Sequence, residues 1–313
     1  MSFAFVFPGQ GSQSVGMLAT LAQSEPAVRA TFDEASAVLG YDLWQLTQEG
    51  PAARLDSTEC TQPAMLSAGV ATWRAWRQRG GGMPAMVSGH SLGEFTALVC
   101  AEALIFAEAV GLVRFRGQVM QQAIPLGSGA MAAILGLEDA EVEAACREGA
   151  QGAVVEAVNF NSPGQVVIAG ESAAVGRAIE AARARGARRA VPLPISVPSH
   201  SSLMREAGRK LGERLERIEL RAPRIPYLSP TDVAIHDQPQ EIRQHLTRQL
   251  SSPVQWTAAV RALTGGQTTC VIECGPGKVL TGLNRRIERR PGLTFHALED
   301  PPSLDAALAA GRS

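Results

Sequence analysis

Gly89-His90-Ser91-Leu92-Gly93 sets a serine between two glycines, the spacing that lifts a hydroxyl out of a sharp turn. The apolar run 83–87 upstream reads as a short strand, and 94–104 downstream reads as a helix. A G-x-S-x-G turn between a strand and a helix is a nucleophile elbow. The N–H groups at the start of the following helix face the same spot, which suits a developing oxyanion. Ser91 is therefore the candidate nucleophile.

A serine hydroxyl needs a base, and the chain has five histidines. His90 lies inside the elbow, too close in sequence to swing onto Ser91, and is assigned to supporting the turn. His236, His245 and His296 lie in polar segments without Gly or Pro scaffolding. His200 follows Val197-Pro198-Ser199 and precedes a helical pattern over 202–217, so stiff chain holds it at a loop-helix junction. It is the candidate base; the alternative is a helix-start histidine satisfied locally.

The third member of a hydrolase triad would be an acid between the serine and the histidine. The only Asp in that stretch is Asp139, which reads as the cap of a helix over 140–146. The expectation is a Ser–His dyad whose imidazole is oriented by something neutral.

Arg116 is the second clue. In a helix over 106–122 it shares a face with Leu112, Val113, Val119 and Met120, while Arg114 points away. A guanidinium on an apolar face is costly unless paired. Its partner is either a structural carboxylate or the carboxylate of a ligand held by the bidentate fork.

These residues need a scaffold, and 313 residues suffice for one large α/β domain with a smaller insert. Phe3 to Phe7 reads as a strand closed by Pro8-Gly9-Gln10-Gly11, and helices alternate with loops to about residue 80. Gly127-Ser128-Gly129 reads as a hinge. Beyond it come strand 130–135, helix 139–148, strands 154–159 and 165–170, helix 173–185 and strand 189–193, the βαββαβ order of a ferredoxin-like subdomain. Residues 127–194 are thus expected as an insert, with 1–126 and 195–313 forming the main domain. A late strand at 271–273 leads through Gly275-Pro276-Gly277 into a helix from Lys278.

Composition removes several classes. Hydrophobic residues make up 45% and charged residues 19%, as in an ordinary globular chain. A formal net charge of −1 gives no footprint for nucleic acid. The N-terminus has no basic segment ahead of its apolar run, and the stretch around 97–113 is broken by Glu102 and Glu108, so neither a signal peptide nor a membrane span is expected. Five cysteines without a C-x-x-C pair read as reduced, buried thiols of a cytoplasmic protein. The histidines and cysteines lack ligand spacing, so no metal is expected.

Several segments, in order, carry a resemblance: Phe7-Pro8-Gly9-Gln10-Gly11-Ser12-Gln13, Thr61-Gln62-Pro63-Ala64, the elbow with Glu94, Arg116-Gly117, Phe160-Asn161-Ser162-Pro163-Gly164-Gln165, Val197-Pro198-Ser199-His200, Gln249 with Pro253-Val254-Gln255-Trp256, and Gly275-Pro276-Gly277-Lys278-Val279-Leu280. Together they resemble the bacterial malonyl-CoA:acyl-carrier-protein transacylases of type II fatty acid synthesis, over essentially the whole chain. The resemblance implies an α/β fold: an α/β-hydrolase-like core with an inserted ferredoxin-like subdomain. It implies Ser91 as nucleophile and His200 as base, with the backbone carbonyl of Gln249 holding the imidazole. It implies Arg116 as the clamp for the malonyl carboxylate, the N–H groups of Gln10 and Leu92 as the oxyanion hole, and Asn161 and Met131 as acyl-site lining. The implied reaction is a ping-pong transfer from malonyl-CoA to the phosphopantetheine thiol of an acidic acyl carrier protein, without cofactor; a monomer is the default expectation.

The chain departs from that pattern at Ser229-Pro230, where many members carry two Asn, and at Glu102, where glycine is common. Three other readings stand beside it: a freestanding trans-acting polyketide acyltransferase, a serine hydrolase clearing acyl groups, and a non-catalytic carrier-binding module. Arg116 argues against the hydrolase, and Ser91, His200 and Arg116 together argue against the module. Two arginine groups are candidate docking faces for the carrier: Arg285, Arg286, Arg289 and Arg290, placed in a terminal helix, and Arg183, Arg185, Arg188 and Arg189 in the insert.

Overall fold

The computed structural model describes residues 2–125, 127–195 and 197–312. The expected boundary at residue 126 lies outside them. The chain divides into two compact units, Met1–Gly117, Ile218–Ile242 and Ala259–Ser313 in one, and Gln118–Arg217 and Arg243–Ala258 in the other. The second unit is wider than the expected 127–194 and takes in two further stretches of chain.

Ten strands are described: β1 Ser2–Phe7, β2 Met86–Gly89, β3 Gly129–Leu135, β4 Val155–Ser162, β5 Gln165–Glu171, β6 Arg189–Pro192, β7 Tyr227–Leu228, β8 Ile235–His236, β9 Thr268–Glu273 and β10 Thr294–Ala297. The first unit holds a six-stranded sheet in the order β10-β9-β1-β2-β7-β8, parallel except for the β7–β8 pair. β1 is central and buried on both faces, with Ala4, Phe5, Val6 and Phe7 fully covered. That is why it reads as an unbroken apolar run instead of an alternating one. Phe5 lies edge-on to Trp76 at 5.2 Å and to Trp73 at 5.5 Å, tying β1 to the helix Thr58–Gln78.

β2 begins at Met86, three residues later than the sequence pattern suggests. Pro84 lacks an N–H, and Ala85 spends its own on the Phe3 carbonyl before the ladder with β1 starts. The following helix is also shorter than expected, Gly93–Cys100 instead of 94–104. Glu102 then takes φ 61°, a left-handed conformation that glycine adopts without strain.

The second unit holds a four-stranded antiparallel sheet in the order β4-β5-β3-β6, with helices Asp139–Ala150 and Ser172–Ala184 packed on it. Asp139 is the first residue of its helix, and the cap position falls on Glu138, one residue earlier than expected. A 3-10 turn Ser202–Met204 also runs into a helix Arg205–Leu215.

β9 ends in Glu273, a fully buried carboxylate that accepts the Leu280 N–H at 3.0 Å and the Thr281 N–H at 2.7 Å, capping the helix Val279–Ile287. Burial pushes its pKa from 4.5 up to about 7, against the pull of those N–H groups. Between these values the folded protein holds a proton that the unfolded chain releases, so this group's contribution to stability falls as pH rises through the window. Glu273→Gln removes the titration. In denaturant unfolding at pH 5 and pH 8, the wild type is expected to lose up to roughly 3 kcal/mol relative to the variant between the two conditions. An unchanged difference would show that Glu273 does not titrate there.

Candidate active site

The elbow is held by contacts that leave no room for side chains. An ideal Cβ on Gly89 would lie 1.9 Å from the Gly93 carbonyl carbon, and one on Gly93 would lie 2.0 Å from the Phe7 oxygen. The end of β2, the start of the helix and the end of β1 thus touch through backbone alone. His90 donates its N–H to the Phe7 oxygen and accepts from Gly93 N, both at 2.9 Å, so its backbone braces the turn. Ser91 sits at the tip with φ 54°. A left-handed serine persists only because the glycine contacts over-determine it. Leu92 is the cap residue of the helix Gly93–Cys100 and is buried. Gln10 follows Gly9, where a Cβ would come within 2.5 Å of the His90 carbonyl oxygen, so the β1 loop lies against the elbow.

Arg116 lies on the helix Phe106–Gln121 with Leu112, Val113, Val119 and Met120, all five buried. Its Nη1 donates to Gln62 Oε1 at 2.9 Å and its Nη2 to Ser91 Oγ at 3.2 Å, and the guanidinium carbon sits 5.5 Å from the centre of the Phe95 ring. Burial lowers its pKa to about 10, opposed by the charge of Glu94, so it remains a cation at neutral pH. Arg114 points elsewhere, to the Leu39 carbonyl and the Tyr41 ring. Gly117 lets this helix press on the Thr58 carbonyl, 2.7 Å from where a Cβ would stand. That contact brings the helix start carrying Gln62 against Arg116.

Glu94, one residue past the elbow, is fully buried and accepts the phenol hydrogen of Tyr227, also fully buried, on β7. Neither was assigned a role from the sequence, nor was Gln62. Gln62 and Glu94 do stand inside the motif segments that carry the resemblance, whereas nothing in the pattern marks Tyr227.

In the second unit, His200 is buried at φ 67° and donates its N–H to the Leu250 carbonyl at 2.9 Å. Its Nδ1 lies 2.9 Å from the Gln249 carbonyl oxygen and 3.1 Å from that of Ser252. A carbonyl oxygen only accepts, so Nδ1 carries the hydrogen and Nε2 of the neutral ring keeps its lone pair. Gln249 ends the helix Pro239–Gln249, and its carbonyl belongs to the negative end of that helix dipole. Two backbone oxygens therefore fix the ring orientation and its Nδ1–H tautomer. The Ser252 oxygen was not foreseen. Asn161 lies on β4 and is largely buried, while Met131 on β3 packs with Val158, Val167 and Ala169.

The arginine groups differ from expectation. Arg285 and Arg286 occupy the last turn of the helix ending at Ile287, while Arg289 and Arg290 lie beyond it, and the terminal helix is Pro301–Arg312. In the second unit Arg183 pairs with Glu180, and Arg185 with Glu148 and Glu141, which cancels part of that basic group. All five cysteines are free and buried. Among the described residues no helix is long and apolar enough to cross a membrane.

A serine on a strand-to-helix elbow with a buried arginine on its hydroxyl, in a mixed α/β chain, defines an acyl-transfer class of site. The acyl transferase domain family matches residues 4–289. The malonyl CoA-acyl carrier protein transacylase of Salmonella typhimurium is 56% identical over 306 residues, covering 98% of each chain, and that of Bacillus subtilis is 40% identical over 306 residues, covering 97% of this chain and 96% of the relative. Among solved structures, an acyl carrier protein S-malonyltransferase from Vibrio cholerae superposes with a TM-score of 0.94 at 53% identity, covering 98% of this chain and all of the other. A type II PKS acyl-carrier protein in complex with its malonyl-transacylase gives a TM-score of 0.97 at 52% identity, covering 99% of this chain and 100% of that one. The chain belongs to the acyl transferase family, in the branch of the malonyl CoA-acyl carrier protein transacylases.

Proposed function

We propose that this chain moves a malonyl group from malonyl-CoA to the phosphopantetheine thiol of an acyl carrier protein through a malonyl ester on Ser91. The observation that carries the reading is the Arg116 N–H on Ser91 Oγ at 3.2 Å. A buried cation fixed beside a nucleophile selects an acyl group with a carboxylate at its far end. The names of the relatives supply the donor and the class of acceptor.

Nε2 of His200 takes the Ser91 hydroxyl proton as Oγ attacks the thioester carbonyl. The oxyanion is held by the N–H groups of Gln10 and Leu92, the C–S bond breaks, and the CoA sulfur leaves with the proton from the imidazolium. In the second half the carrier thiol gives its proton to Nε2 and attacks the ester, and Oγ leaves and is reprotonated. Atoms and charges balance without a cofactor. Asn161 and Met131 line the acyl site in this reading. The first unit is an α/β-hydrolase-like core, supported by its parallel sheet and elbow. Residues 127–194 are a ferredoxin-like subdomain, supported by the element order and the β4-β5-β3-β6 sheet. A cytoplasmic location is supported by a CoA thioester donor and a carrier acceptor.

Intact-mass measurement after brief mixing with malonyl-CoA tests this. A malonyl adduct that discharges onto added holo carrier protein is expected. Rapid release of free malonate with little carrier acylation would make the protein a hydrolase. Using carriers of fatty-acid and polyketide type in parallel separates those two pathways. Arg116→Ala is expected to lower the malonyl-over-acetyl ratio of kcat/KM by about 100-fold, the scale for an unpaired buried charge contact. Equal losses for both donors would discard the carboxylate clamp.

A further inference from the structure

The reading of Arg116 as the carboxylate clamp raises a difficulty that the fold itself answers. A second carboxylate, Glu94, is also buried, and its charge acts on the same guanidinium. An internal carboxylate and a substrate carboxylate would compete for one arginine fork. The structure gives Glu94 another partner: the Tyr227 phenol donates to Glu94 Oε2, and the Ser229 hydroxyl in turn bonds the phenol. Tyr227 is fixed from behind as well. It lies on β7 in register with Val87 of β2, immediately ahead of the elbow, and is fully buried.

We propose that Tyr227 is a positioning residue for donor selection: its hydrogen bond holds the Glu94 carboxylate where it supports Arg116 as a cation without occupying the fork that receives the substrate carboxylate. Ser229, Tyr227 and Glu94 are hydrogen-bonded in series, and the Glu94 charge acts on Arg116, which donates to Gln62 and Ser91. Each link is a side chain of the first unit. Burial and the neighbouring Glu94 both raise the Tyr227 pKa well above its ordinary value, so the phenol remains a donor throughout the working range. Glu94 lies in the first turn of the helix Gly93–Cys100. Removing only the phenol oxygen strips a buried carboxylate of a donor, and Arg116 is a cation on which that carboxylate acts.

The inference rests on the carboxylate-clamp reading, and the test keeps the two apart. Acylation of Ser91 would be followed with malonyl-CoA and acetyl-CoA for the wild type, Tyr227→Phe, Glu94→Gln and the double variant, with a thermal melt of each. Tyr227→Phe is expected to raise KM for malonyl-CoA about tenfold, with kcat changing less than KM, and to lower the malonyl-over-acetyl ratio of kcat/KM about tenfold. In the Glu94→Gln background the same tyrosine change should have little further effect on that ratio, because the carboxylate it restrains is gone. Glu94→Gln alone should lower the ratio through the loss of charge support for Arg116, which keeps the idea testable if Tyr227→Phe does not fold. Equal losses for both donors in the single variants, or a tyrosine effect of the same size in both backgrounds, would overturn the proposal. A wild type that malonyl-CoA does not acylate would overturn the clamp reading instead.

Discussion

Ser91→Ala protein mixed with malonyl-CoA is expected to keep the mass of the unmodified chain, and transfer to the carrier protein to fall by about 10⁴- to 10⁶-fold, the range for deleting a nucleophile that works as a unit with its base. The elbow should survive the change. Alanine keeps the serine Cβ, and the left-handed conformation at this position is imposed by Gly89 and Gly93, not by the hydroxyl. Arg116 loses the Ser91 oxygen as an acceptor but retains Gln62 at 2.9 Å. Donor binding should therefore persist while turnover stops. A calorimetric titration showing malonyl-CoA bound to a variant that forms no adduct would separate the chemical role of Ser91 from a structural one. A malonyl adduct on the variant would move the nucleophile to another residue.

His200→Ala is expected to slow formation of the malonyl-enzyme by about 10²- to 10⁴-fold, the usual contribution of a positioned general base. The pH profile gives the sharper readout. In the wild type, acylation should fall as the solution is acidified, because a protonated Nε2 cannot take the serine proton. The variant has no such group and should lose that acid limb, staying slow across the range. Stopped-flow acylation at a series of pH values would show this. A variant that kept the acid limb at reduced rate would assign the titration to some other residue.

The readable and unreadable parts of this molecule divide along physical lines. The elbow was legible because a Cβ at 89 or 93 would stand 1.9 or 2.0 Å from neighbouring backbone, which admits only glycine at both. Arg116 was legible because its helical neighbours are apolar, and the buried face formed as the periodicity implied. What orients His200 was harder to see. Every residue carries a carbonyl, so the Ser252 oxygen leaves no mark in residue type, and only the resemblance pointed to Gln249. Tyr227 sits in a two-residue strand whose pairing comes from β2, 140 positions earlier in the β2–β7 register of Val87 with Tyr227, and no local pattern marks it. The edges of the two compact units are unmarked in the sequence for a similar reason. Three of the four fall inside the helices Phe106–Gln121, Pro239–Gln249 and Trp256–Thr264, where hydrophobic periodicity runs on without a break.

The placement of the cysteines has a bearing on chemical fidelity. An enzyme that passes an activated acyl group from one thiol to another works among reagents that would acylate any thiolate they met. All five of its own sulfurs are out of solvent, and burial pushes Cys100, Cys146, Cys270 and Cys274 toward the thiol form. A protonated, enclosed sulfur is a poor nucleophile. The cargo thus passes through a protein that holds sulfur in its core yet offers the thioester no exposed thiol of its own.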